Sequence, residues 1–188
     1  MKTSFIELLS NTNRPGINRL IFYLVSKTDF FVAPASTKYH GACEGGLLAH
    51  SWAVYEQLNR ILRLNNLEYE QDSVIITALL HDVCKANFYE TATRNVKNEK
   101  TGFWEKVPYI IINDKLPLGH GEKSVIILQQ YISLTIDEIM AIRWHMAGFD
   151  DAGRQYGGGQ ALSTAMSQYP LICALHMADL AANYIDKE

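Results

Sequence analysis

Val74-Ile75-Ile76-Thr77-Ala78-Leu79-Leu80-His81-Asp82 is the stretch that decides how this chain folds. A helix built from residues 74–80 is apolar on every side and has no face to offer to water, so it belongs at the centre of the molecule. Asp72 is its expected N-cap. The helix runs straight into His81 and Asp82, and that placement is costly. An ionised carboxylate taken out of water costs several kcal/mol unless something pairs with it, so Asp82 needs a cation, a donor network or the surface. Asp179 repeats the problem inside the apolar run from Leu171 to Ala182. A divalent metal answers both carboxylates at once, because imidazole and carboxylate together suit manganese, iron, zinc or nickel. The candidate imidazoles are His50, His81, His120 and His145.

Around this centre most of the sequence reads as helix. Residues 15–27 begin with Pro15 and Gly16 and carry Ile17, Leu20, Ile21, Tyr23 and Leu24 as one apolar stripe. From Gly45 to about Leu64, Leu48, Trp52, Tyr55, Leu58 and Leu62 recur at steps of three or four. Further helices are predicted over about 121–131 and 136–145, the second opened by Thr135 with Glu138 at the capping-box position. A last pair fills roughly 160–186. Between Tyr89 and Asn113, alternation and β-branched or aromatic residues flank the polar turn Lys97-Asn98-Glu99-Lys100-Thr101-Gly102, which predicts a β-hairpin set between helices. The expected fold is all-α with this small insertion, in a single domain over 1–188.

Composition narrows the function classes. The chain has 188 residues, 48% hydrophobic and 20% charged, which fits a globular protein. No apolar run approaches the ~18 residues of a membrane span, and the start MKTSFIELLSNTNR has no signal-peptide pattern, so a cytoplasmic protein away from membranes is expected. Seventeen basic and twenty acidic residues give a formal charge of −3, which argues against a long nucleic-acid duplex as partner. Cys43, Cys84 and Cys173 are odd in number and widely spaced, so they read as buried small residues rather than as a disulfide or zinc framework. Gly157-Gly158-Gly159 follows no predicted strand and precedes no Lys-Ser/Thr pair, so it reads as an interhelical loop.

The order His50, His81-Asp82, Asp179 resembles the HD superfamily of metal-dependent phosphohydrolases. Gly45-Gly46-Leu47-Leu48-Ala49-His50 and Ala78-Leu79-Leu80-His81-Asp82-Val83-Cys84-Lys85 are similar to the branch that holds the catalytic domain of a bacterial 3′-to-5′ exoribonuclease. The similarity spans roughly residues 40–184. The resemblance implies an HD-type helical bundle with His50, His81, Asp82 and Asp179 as ligands of one metal. Members with two further histidines before the final aspartate bind a second metal; here those are His120 and His145, with Asp82 bridging. The ions implied are two divalent cations, among manganese, iron, nickel, zinc, cobalt or magnesium.

The implied activity is hydrolysis of a phosphoester by a metal-activated water, with no protein nucleophile. Lys85 stands four residues after His81 and three after Asp82, so on a continuing helix its ammonium covers the ligand face and can reach a substrate phosphate. A C-terminal lysine favoured by the helix dipole is the plainer reading. Val83-Cys84 stands where the family pattern usually has Ile-Gly, and a thiolate role for Cys84 is not expected. His40 and His176 are further candidates for contact with substrate, against plainer readings as a surface and a core histidine. Arg94, Lys97, Lys100 and Lys106 make the hairpin locally basic, but Glu90, Glu99 and Glu105 interleave, which fits a solvated face. The expected substrate is a nucleotide or short oligonucleotide phosphoester. The alternatives are a 3′-to-5′ exoribonuclease that works with a partner, and a non-catalytic metal- or nucleotide-sensing module. The oligomeric state is not legible in the sequence.

Overall fold

A computed structural model describes residues 1–38 and 41–185. Among them are nine α-helices: α1 (Lys2–Ser10), α2 (Ile17–Ser26), α3 (Gly46–Leu64), α4 (Gln71–Leu80), α5 (His120–Gln129), α6 (Ile136–Trp144), α7 (Asp151–Arg154), α8 (Gly158–Gln168) and α9 (Pro170–Tyr184). Strands β1 (Tyr89–Lys97) and β2 (Trp104–Ile112) form one antiparallel hairpin between α4 and α5. The all-α fold with a hairpin insertion is therefore as expected. No helix among the described residues is long and apolar enough to cross a membrane.

Helix α4 is the axis of the molecule. Every residue from Ser73 to Leu80 is buried, as its unbroken apolar surface requires. On one side Ile76, Leu79 and Leu80 meet Phe5 and Leu9 of α1, Leu20 and Leu24 of α2, and Leu128 of α5. On the other, Val74 and Ala78 meet Val54 and Leu58 of α3 and Leu171 and Leu175 of α9. Burying one such leucine or isoleucine side chain contributes roughly 1.5–3 kcal/mol, so both clusters hold α4 in place.

Local chemistry departs from expectation at four points. Helix α4 starts at Gln71 after Glu70, and Asp72 lies in its first turn instead of capping it. The Asp72 carboxylate instead accepts the Asn13 backbone N–H at 2.8 Å, tying down the segment between α1 and α2. Helix α1 has no counterpart in the periodicity reading; it forms because Phe5 and Leu9, one turn apart, bury completely. The glycine run is not a plain loop: Gly157 caps α8 in the left-handed region (φ 78°) and Gly158 and Gly159 are its first turn. Cys43 and Cys173 are exposed, one in the loop before α3 and one on the outer face of α9, leaving Cys84 as the buried thiol.

The capping box of α6 is present, and Glu138 does more there than close a helix end. Its carboxylate accepts from the Thr135 backbone N–H (2.8 Å) and the Ser73 hydroxyl (2.7 Å). It also accepts both guanidinium branches of Arg14, at 2.8 and 2.6 Å. Glu138 is completely buried, so this fork joins the entry to α2 with α4 and α6 around a charge that water does not reach. Arg14→Ala strands that carboxylate, and breaking one side of a buried pair costs about 3–5 kcal/mol. Urea denaturation of Arg14→Ala is expected to show a loss of that size, with Arg14→Ala/Glu138→Gln recovering part of it.

Candidate metal centre

Five elements bring side chains to the site around Asp82. Helix α3 carries His50. It begins at Gly45, held at φ 74°, and at Gly46, where a Cβ would stand 2.0 Å from the Gly41 carbonyl oxygen. Only glycine lets that loop lie flat on the helix start. Helix α4 ends in His81 and Asp82, and residues 83–85 form a single tighter turn. Helix α6 ends in His145, and α9 carries Asp179. Helix α5 opens with His120, pressed against α6 because a Cβ on Gly121 would lie 2.2 Å from the Arg143 carbonyl oxygen.

The two oxygens of Asp82 face different partners. Oδ2 lies 3.8 Å from His50 Nε2, 3.5 Å from His81 Nε2 and 2.7 Å from Lys85 Nζ. Oδ1 lies 3.6 Å from His145 Nε2. Asp179 Oδ1 is 3.2 Å from His50 Nε2. The ring of His81 stands between the other two imidazoles, its centroid 5.3 Å from that of His50 and 5.0 Å from that of His145.

Backbone carbonyls fix which ring nitrogen carries the proton. His81 Nδ1 is 2.8 Å from the Ala78 carbonyl and His145 Nδ1 is 2.7 Å from the Ile142 carbonyl. A carbonyl only accepts, so both Nδ1 atoms donate, and in the neutral ring each Nε2 is left as a bare lone pair. Those lone pairs face carboxylate oxygens. Among the described residues, the buried side-chain polar atoms without a hydrogen-bond partner are Ser51 Oγ, His81 Nε2, Asp82 Oδ1 and His145 Nε2. Three of the four are thus acceptors turned toward one another, an arrangement that costs free energy unless a cation lies among them. The residues fit a divalent metal, and His50, His81 and Asp82 offer three ligand atoms within 4.8 Å of one another.

The charges follow from burial and proximity. Burial alone would raise the Asp82 carboxyl, but Lys85, His81 and His145 outweigh it and hold Asp82 well below the ordinary range. Asp179 resists burial through His50 and falls to about 2. Burial pushes His81 and His120 down, whereas at His145 burial is outweighed by the nearby negative charge of Asp82, which raises the ring. Burial likewise lifts the Cys84 thiol, to about 12. Lys85, which burial would lower, stays raised beside Asp82.

Lys85 reaches Asp82 as its i+3 neighbour, but through the tight turn after α4 and not along a continuing helix, the Lys85 N–H bonding the Asp82 carbonyl at 2.9 Å. His120 joins the group through Cys84, whose Sγ is 3.5 Å from His120 Nδ1; Asp82, Cys84 and His120 form a second set of ligand atoms within 4.8 Å. Cys84 is buried, as the sequence suggested, and its nearness to His120 is not legible in its spacing. His176 Nδ1 donates to the His145 carbonyl at 2.7 Å and so steadies the backbone at a site residue. His40 lies outside the described residues.

A helical protein whose central helix delivers a His-Asp pair into a ring of imidazoles and carboxylates is, as a class, a metal-binding helical domain. The chain belongs to the HD domain family, whose model matches residues 47–180 and takes in every one of these groups. HD domains are in general metal-dependent phosphohydrolases. No curated protein and no solved structure matches the chain.

The depressed carboxyls set the acid limb of stability. Asp179 binds its proton more weakly folded than unfolded, so its contribution is fully present above the ordinary value near pH ~4 and is lost as pH falls through about 2. Chelator-treated protein is expected to lose stability over that window, read as the urea midpoint at each pH. Asp179→Asn is expected to flatten the limb.

Proposed function

We propose that this HD domain hydrolyses the phosphoester of a nucleotide or short oligonucleotide, with two divalent cations held on either side of Asp82. One observation carries the reading: the two oxygens of one buried carboxylate are turned toward different imidazoles, and one of them has no hydrogen-bond partner. His50, His81, Asp82 and Asp179 would hold the first ion. Asp82, His120 and His145 would hold the second. When bound, such ions supply Lewis acidity that brings the pKa of a water toward ~7 and offsets phosphoryl charge.

The chain's own residues do the rest. The carbonyls of Ala78 and Ile142 lock the two rings in the tautomer that presents Nε2, so no reorganisation is needed when charge arrives. Lys85 holds its ammonium at Asp82 Oδ2, and there it would stabilise charge that develops on a bound phosphoryl group. Tyr89 stands within electrostatic reach of Lys85 and lines a cavity of about 270 Å³ with Thr91, Ile110, Cys43 and Glu44.

A second reading, a 3′-to-5′ exoribonuclease, draws on the hairpin. Its register pairs Asn95 with Lys106 and Lys97 with Trp104, so both lysines and an exposed tryptophan share the face that starts at Tyr89, while Glu90 and Glu105 fall on the other. Cations and an aromatic on one face suit a single strand.

Metal analysis separates the ligands. Asp82→Ala is expected to lose both ions, His145→Ala mainly the second, and Lys85→Ala to keep both while turnover on a phosphoester panel falls roughly 10²-fold or more. Full occupancy in Asp82→Ala contradicts the assignment. Salt separates the substrates: for a nucleotide, log affinity against log salt is expected to slope near −0.7, one phosphate contact, and a slope several times steeper that grows with oligonucleotide length supports the exonuclease.

A further inference from the structure

The second ion position carries a donor that the His and Asp pattern does not contain. Cys84 is buried in the turn that follows the His-Asp pair, and that turn packs against the first turn of α5. Its backbone N–H bonds the Ser124 hydroxyl at 3.3 Å, which fixes the turn to α5. Its Sγ lies 3.5 Å from His120 Nδ1. Ordinary zinc–sulfur and zinc–nitrogen bonds of about 2.3 and 2.0–2.1 Å, at the tetrahedral angle, put two donor atoms about 3.5 Å apart. Asp82 completes the set, with one oxygen, one sulfur and one nitrogen within 4.8 Å of one another. An independent observation points the same way: Asp82 Oδ1 is buried and has no hydrogen-bond partner.

We propose that Cys84 is a sulfur ligand of the second ion, alongside Asp82 and His120. The inference rests on the two-ion reading above and adds to it the chemistry of the ion. As the sulfur–metal bond forms, the S–H bond breaks, its electron pair goes to the metal and its proton to solvent. A thiolate is a soft donor, so this position takes zinc, cobalt or iron in preference to manganese or magnesium. Phe88 packs edge-on against His120, the ring centroids 5.9 Å apart. The competing account is an S–H···N hydrogen bond by which Cys84 only orients His120.

Cobalt distinguishes the two, because a thiolate on Co²⁺ gives an intense near-ultraviolet charge-transfer band and a thiol beside it gives none. The full chain carrying Cys43→Ser and Cys173→Ser, which removes the exposed thiols, is stripped with chelator and titrated with Co²⁺, with bound metal counted by mass spectrometry. The expected result is two equivalents bound, with the band growing in with the second and absent from Cys84→Ser and Cys84→Ala. Two equivalents without the band, or a band that survives Cys84→Ser, overturns the proposal and leaves the two-ion reading standing. A single equivalent that carries the band overturns the two-ion reading and keeps Cys84 as a ligand; a single equivalent without it, or no bound cobalt, overturns both. Should the Cys84 variants fail to fold, X-ray absorption of the zinc-loaded parent decides by the presence or absence of a sulfur scatterer near ~2.3 Å.

Discussion

The carboxylate of Asp82, buried at the end of the most apolar helix and facing three imidazoles, is the constraint from which the rest follows. A charge in that position is several kcal/mol out of balance until it is paired. Helices α3, α6 and α9 bring a histidine, a second histidine and a second aspartate to it, and the turn after α4 brings Lys85. The apolar clusters on the two sides of α4 hold these elements against the mutual repulsion of lone pairs. The core thus supports a polar arrangement in which Lys85 pairs with Asp82 Oδ2 while His81 Nε2, Asp82 Oδ1 and His145 Nε2 have no hydrogen-bond partner.

Rigidity and chemistry are joined in the same bonds. Each imidazole that turns Nε2 toward Asp82 at a helix end is anchored at Nδ1 by a carbonyl of its own last turn, so helix geometry sets the tautomer. His176 then fixes the carbonyl of His145. The Arg14–Glu138 fork does similar work away from the site: it ties α2, α4 and α6 together, and α6 ends at His145.

Much of this was legible because it rests on burial, which a sequence displays. The unbroken apolar run 74–80 marked the central helix, and two carboxylates in apolar surroundings marked the site. The hairpin and the Thr135–Glu138 capping box also stand where local patterns put them. What escaped depends on contacts distant in sequence. Asp72 left its capping role for Asn13, 59 residues away, and Glu138 gained Arg14 from 124 residues away. Cys84 met His120 only because α5 docks on the turn after α4. In the hairpin, the register puts Lys97, Lys106 and Trp104 on one face and Glu90, Arg94 and Glu105 on the other, a grouping that the interleaved sequence does not display.

The account stands on cations flanking Asp82, and anomalous X-ray diffraction from crystals of protein purified without chelator tests it most directly. It predicts two anomalous peaks beside the carboxylate, one among His50, His81 and Asp179 and the other among His145, His120 and Cys84. Well-ordered side chains with no anomalous peak at the carboxylate, in protein never exposed to chelator, would contradict it.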